Sequence, residues 1–376
     1  MREDNVSLIS DLVRRSALLV PVGAGAALVR AGWQVPAALG GRASGERLAR
    51  MQASPNYRDG MFHNTVPASI AGPSGSVLRD FVLGRERRKP TGPVPLAVPD
   101  FGAAADGLRV SWLGHATVLV EIDGRRILFD PVWSDRVSPS PLVGPKRLHP
   151  VPVPLADLPP IDAVVISHDH YDHLDMVTVR RIARLWPETR FVVPLGVGAH
   201  LERWRIPVSR IDELDWAESA TVGDVELTAT AARHFSGRLK PGGNDTLWAS
   251  WVVAGATQRV FYTGDSGYFD GYREIGERYG PFDATFVQVG AYSPHWPDIH
   301  MTPEEGVATH QAVRGGLLVP VHWGTFNLAM HSWSEPVERV LADAAREDVQ
   351  VAVPRPGELL TVSDAPDPDG WWRSIA

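Results

Sequence analysis

"SHDHYDHLD", residues 167–175, sets His168, His170 and His173 among Asp169, Asp172 and Asp175. The whole chain of 376 residues holds 13 histidines. A packed core has no use for such a cluster, because imidazoles and carboxylates are costly to bury unless they are paired or coordinated. The stretch follows "IDAVVIS" (161–167), a nearly continuous apolar run of the kind expected for a strand covered on both faces. It leads into "DMVTVRRIARLW" (175–186), which reads as a helix opened by Asp175 and closed before Pro187. His168 and His170 are two residues apart, so an extended backbone aims both imidazoles to one side. Asp172 and His173 fall where the chain turns into the helix and face a second point nearby. The pattern suits two neighbouring cations.

Imidazole and carboxylate without thiolate suit Zn²⁺, with Mn²⁺, Fe²⁺ or Ni²⁺ as substitutes. The chain contains no cysteine, which removes disulfides, thiolate metal sites and a cysteine nucleophile. Two cations need further ligands, and three candidates close later strands. They are His234 in "TAARHFSGR", Asp265 in "FYTGDSGY" and His322 in "LLVPVHWGTF". Any one of them alone is a weak signal, since a single histidine after a strand is more often a hydrogen-bonded structural residue than a ligand; the set together is strong.

Outward from this cluster, "LRVSWLG", "TVLVEID" and "RRILFDP" are short β-rich runs with glycine turns, which predict an antiparallel meander. Further strands are expected at "RFVVP", "VELTAT", "LWASWVV", "QRVFYTG", "ATFVQV", "LLVPV" and "VQVAV", and helices at "GYREIGERY", "PEEGVATHQAV" and "PVERVLADAAR". Strand-rich stretches with interspersed helices predict a layered α/β sheet sandwich with helices outside. No internal repeat is visible.

Charge is unevenly distributed. Residues 1–90 carry 13 Lys/Arg against 7 Asp/Glu, and the remainder 24 against 37. An acidic body argues against a nucleic-acid groove, while a basic leader suits an anionic membrane surface. In the leader, Arg14 and Arg15 precede an apolar run from Ala17 to Val29, shorter than the roughly 20 residues of a clean span. It reads as a membrane anchor, an export signal or an interfacial helix, against the plain alternative of a helix packed on the body of a cytoplasmic protein. The expected organisation is a leader at 1–51 and a main domain at 52–376, with residues 34–107, rich in Pro, Gly and Arg, as an irregular approach segment wrapping that domain. The Trp-rich runs divide: "LWASWVV" is expected in the core, and Trp296 of "SPHWPDIH" in a substrate groove.

The motif set resembles the metallo-β-lactamase superfamily, and within it the N-acyl-phosphatidylethanolamine-hydrolysing phospholipase D family. "SPNYRDGMFHN", "WLGHATVLVEIDG", "FDPVWSDRVSP", "GPKRLHP", "LPPIDAVVISHDHYDHLD", "GDSGY", "IGERYGPFDATFVQVGAY", "PEEGVATH" and "HWGTFNLA" carry the resemblance over about residues 52–362. It implies an αββα sandwich with the metals at one edge. It further implies that His168, His170 and His234 hold one Zn²⁺, that Asp172, His173 and His322 hold a second, and that Asp265 bridges them. His300 and Tyr171 match substrate-contacting positions, and Asp130 and His115 are expected to orient ligands by hydrogen bonding.

Two dications roughly 3.5–4 Å apart lower the pKa of a shared water towards neutrality. The implied reaction is attack of the bridging hydroxide on a phospholipid phosphodiester, with His300 stabilising the phosphate or protonating the leaving alkoxide. A lactonase or β-lactamase-type hydrolase on the same centre is the alternative, and a vestigial metal-stabilised module is opposed by the complete ligand set. Nothing in the sequence sets an oligomeric state.

Overall fold

The alternation of side chains along the strands decides the layering. In β4 (Thr117–Ile122), Val118, Val120 and Ile122 join one core and Leu119 another, so the strand is covered on both faces. The same division runs through β6 (Ala163–Val165), where Ala163 and Val165 face the first core and Val164 the second. This is the two-faced strand that "IDAVVIS" predicts.

The computed structural model describes residues 34–69, 84, 86–102, 107–238 and 242–376. Two seven-stranded sheets form the centre. In the first, β3 (Arg109–Gly114), β4 and β5 (Arg125–Phe129) make the expected antiparallel meander. β6, β7 (Arg190–Pro194) and β8 (Ile211–Leu214) then extend it in parallel. The second sheet starts with β9 (Ser219–Val222), β10 (Val225–Thr230), β11 (Ser250–Ala254) and β12 (Arg259–Tyr262), all antiparallel. β13 (Phe282–Gln288), β14 (Gly315–Val321) and β15 (Gln350–Val351) continue it in parallel. The last strand, β16 (Leu359–Thr361), returns to pair with β3.

The inner faces of both sheets share one large core. On the outer face of the first sheet, α2 (Met176–Leu185) and α3 (Gly198–Arg203) bury Val179, Ile182 and Leu201. On the second sheet's side, α4 (Gly271–Tyr279), α5 (Pro303–Ala312) and α6 (Glu335–Arg346) supply Ile275, Val307 and Val340. The result is the αββα sandwich the resemblance implies. Each sheet repeats one plan, antiparallel strands followed by parallel ones, although the sequence shows no repeat. β5 and β6 therefore end at one edge of the first sheet, and β12, β13 and β14 at one edge of the second.

Local chemistry fixes the helix starts. Asp175 caps α2 by accepting from the Val177 N–H, as its sequence position predicts. Thr302 and Glu305 form a reciprocal capping box at the start of α5, with Pro303 at the first turn. The reading of "LWASWVV" as core holds, since Trp248 and Trp251 are fully buried, although the strand itself starts only at Ser250.

The approach segment is more regular than expected. It contains α1 (Gly45–Ala53) and a hairpin of β1 (Tyr57–Arg58) and β2 (Met61–Phe62). It lies on the body through Trp204 Nε1 donating to the Ala37 carbonyl at 2.7 Å and Arg47 Nε donating to Glu213 at 2.5 Å. The apolar run Ala17–Val29 lies outside the described residues. Among the described residues, no helix is long and apolar enough to cross a membrane.

Replacing the cap with Thr302→Ala is expected to lower the free energy of unfolding by about 1 kcal/mol in urea denaturation. An unchanged midpoint would show that the capping box does not hold the start of α5.

Candidate metal centre

Every candidate ligand leaves the carboxyl end of a strand. Residues 166–175 follow β6, His234 follows β10, Asp265 follows β12 and His322 follows β14. Gly264 permits the last approach of Asp265: its φ is +57°, and a Cβ there would lie 2.6 Å from the Ser167 Cβ. His115, Asp130 and His322 all hold left-handed backbone, with φ of 53°, 38° and 65°. Such non-glycine positions cost about 1–2 kcal/mol each and cluster where a site demands a particular aim.

Three imidazole nitrogens converge at the first point. His168 Nε2 lies 2.8 Å from His170 Nδ1, and His234 Nε2 lies 3.3 Å from the same atom. His234 Nδ1 donates to the Ile299 carbonyl at 2.9 Å, which leaves Nε2 a bare lone pair. The Ser167 hydroxyl donates to Asp130 and so accepts from His168 Nδ1, which does the same for His168. Two lone pairs thus meet at His170 Nδ1, which owns at most one proton. Ligands about 2.05 Å from a tetrahedral cation sit about 3.3 Å apart, so a cation resolves this contact.

The second point is richer in charge. His173 and His322 each place Nε2 at 3.1 Å from Asp265 Oδ2 and 3.5 Å from Asp172 Oδ2. Both nitrogens are nevertheless buried without a hydrogen-bond partner, as are Asp265 Oδ1 and His300 Nδ1. Asp265 Oδ2 also lies 3.9 Å from the Nε2 atoms of His168 and His234, so one carboxylate stands between both groups. Orphaned buried donors and acceptors of this kind fit a bound metal.

Hydrogen bonds behind the cluster aim its members. Asp130 Oδ2 accepts from His173 Nδ1 at 2.7 Å and from the Tyr262 hydroxyl at 2.6 Å, while Oδ1 accepts from the Ser167 N–H. This turns His173 Nε2 towards the site. His115 Nε2 lies 3.0 Å from Asp172 Oδ2, and its ring lies 4.0 Å from that of His322. The two loops are joined where the His322 N–H donates to the His115 carbonyl, above a stack of Trp112 on Trp323.

Electrostatics divide the imidazoles. Burial and the neighbouring rings hold His168 and His234 well below the ordinary histidine pKa. Burial lowers His115 to about 3 and His300 to about 4, against the pull of the nearby carboxylates. His173 and His322 go the other way: burial disfavours their charge, but Asp265 and Asp172 outweigh it. Asp265, which burial would push up, is held well below the usual range by His173, His322 and His300.

An open pocket of about 280 Å³ lies over the cluster, with His170, Asp172, Asp265 and His300 at its floor. Phe235, Trp296, Ile299 and Leu328 give it an apolar wall. Trp296 is therefore where the groove reading put it; Phe235, Ile299 and Leu328 escaped the sequence reading, although Phe235 adjoins His234. Tyr171 is placed differently. It lines the neighbouring cavity, its hydroxyl donates to the Arg238 carbonyl at 2.9 Å, and its ring carries the Arg238 guanidinium at 4.1 Å.

The model of the beta-lactamase superfamily domain matches residues 125–323. An uncharacterized protein of Mycobacterium tuberculosis is 50% identical over 97% of this chain and 100% of its own length. The N-acyl-phosphatidylethanolamine-hydrolyzing phospholipase D 1 of Caenorhabditis elegans is 37% identical, over 72% of this chain and 81% of its own. Among solved structures, Igni18, a metallo hydrolase from the archaeon Ignicoccus hospitalis, superimposes with a TM-score of 0.54 at 21% identity. That match covers 67% of this chain and 97% of Igni18.

Asp130→Asn removes the charge that holds His173 in its tautomer. It is expected to weaken metal binding by about 10- to 100-fold in competitive chelator titration. Unchanged affinity would show that Asp130 does not orient the site.

Proposed function

The chain belongs to the metallo-β-lactamase superfamily, in the branch of the N-acyl-phosphatidylethanolamine-hydrolysing phospholipases D, and on that premise we propose a binuclear zinc phosphodiesterase of phospholipase D type. That it is a metal-dependent hydrolase follows from its family; the substrate and the two cations are our reading. The observation that carries the reading is a pocket with Asp265 and His300 at its floor and Phe235, Trp296, Ile299 and Leu328 along its wall. An anionic headgroup beside an apolar body is the substrate shape that such a pocket favours.

In this reading His168, His170 and His234 hold one Zn²⁺, Asp172, His173 and His322 hold the other, and Asp265 lies between them. When bound, the pair supplies a nucleophile at neutral pH and neutralises charge on the phosphoryl oxygens. The protein's own groups do the rest. Asp130 and His115 keep ligands in register. His300, neutral because burial lowers it to about 4, offers an N–H to a phosphoryl oxygen and is poorly suited to protonate a leaving alkoxide. The apolar wall excludes water from one side of the substrate and takes up part of its hydrocarbon.

We assign the hydrolase domain to residues 52–376 and membrane contact to the leader at 1–51. The described part of that leader is already engaged with the body, through Ala37, Ala38 and Arg47. In this reading attachment therefore falls to the residues before 34.

Zinc-loaded protein is expected to release phosphatidic acid from N-acyl-phosphatidylethanolamine vesicles, to lose that activity on chelation and to regain it with added Zn²⁺. Asp265→Asn is expected to lower turnover by at least about 100-fold, because a neutral amide leaves the facing charges unbalanced. Faster turnover of lactones or β-lactams than of any phosphodiester in a parallel panel would replace this reading with the carbonyl-hydrolase alternative.

A further inference from the structure

The loop that carries His234 lies between β10 and β11, its described residues form no helix or strand, and His234 is fully buried. A buried backbone N–H and C=O must find partners. Among the described residues, both partners of His234 come from one side chain. Asn64 Oδ1 accepts from the His234 N–H at 3.0 Å, and Asn64 Nδ2 donates to the His234 carbonyl at 2.8 Å. The primary amide imitates a strand neighbour and closes a two-bond bridge on a single residue. Its oxygen is aimed by a further bond from Trp248 Nε1 at 3.0 Å.

Asn64 itself is anchored. It follows the β1–β2 hairpin, whose Phe62 N–H donates to the Asn244 carbonyl at 3.0 Å and whose Phe62 carbonyl accepts from Asn244 Nδ2 at 3.2 Å. Asn244 Oδ1 accepts from the Ser236 N–H, two residues beyond His234. Two asparagines thus lace the approach segment to the loop, and Asn64 makes its contact at the histidine. With His234 Nδ1 held by the Ile299 carbonyl, backbone and ring are both fixed, and Nε2 has one direction left.

We propose that Asn64 is a positioning residue for His234, and that through it the approach segment sets the affinity of the His168–His170–His234 cation site. The inference rests on the two-cation reading of the centre. It gives a chemical role to the end of "SPNYRDGMFHN", a motif that the ligand set leaves unexplained.

The test is competitive chelator titration of the full chain with Zn²⁺, resolving two affinities. Asn64→Ala is expected to weaken one site by about 10- to 100-fold and to spare the other. Asn64→Asp keeps the acceptor but loses the donor and faces the His234 carbonyl with charge, so it should weaken the same site. In a double-mutant cycle, adding Asn64→Ala to His234→Ala should cost nothing further, whereas adding it to His322→Ala should cost as much as it does alone. Tyr57→Ala, which removes the ring packed 5.0 Å from Phe62 in the hairpin, controls for loosening of the segment. If Asn64→Ala leaves both affinities intact, or Tyr57→Ala reproduces its loss, the inference is overturned while the two-cation reading stands. Wild-type protein that binds no metal at the three-histidine site overturns both.

Discussion

Seven imidazoles and two carboxylates crowd into one buried region, with ligand atoms within 4.8 Å of one another in each group. Nothing else among the described residues carries such a concentration of groups that water would solvate better. An unpaired buried charge or lone pair costs several kcal/mol, so an arrangement with orphaned atoms on His173, His300, His322 and Asp265 requires something to satisfy them. Bound metal would do so: it would replace the protons that His173 and His322 otherwise hold and take up the lone pairs that meet at His170. The sandwich can be understood as the frame that makes this crowding possible.

The frame works through strand direction. Because β5 and β6 run in parallel, as do β12, β13 and β14, their carboxyl ends deliver side chains to one edge. Close contact between the two sheets then has to be bridged by loops. The hydrogen bond from the His322 N–H to the His115 carbonyl does this, and the left-handed backbone at His115, Asp130 and His322 is the local cost of aiming them. The adjoining stack of Trp112 and Trp323 shows that rigidity at the edge is supplied from the core.

Much of this was legible in the residues. "IDAVVIS" declared a two-faced strand by its unbroken apolar run, and Asp175 declared a helix start. His168, His170, Asp172 and His173 were visible because their spacing has no packing explanation. His234, Asp265 and His322 emerged from one rule, a ligand residue closing a strand. The short edge strands β8, β9 and β16 were not legible, because half-exposed edges lack a strong apolar period. Nor was the pocket wall, since Phe235, Ile299 and Leu328 become neighbours only through folding. The position of Tyr171 depends on Arg238, a buried cation seated on its ring from 67 residues away, a pairing that leaves no local signature. Asn64 lies 170 residues from His234, beyond any pattern a local reading could use.

The most direct test of the central claim is anomalous diffraction at the zinc edge from crystals of the zinc-loaded protein. The account predicts two peaks, one among His168, His170 and His234 and one among Asp172, His173 and His322, with Asp265 between them. A single peak, or peaks away from these side chains, would contradict it.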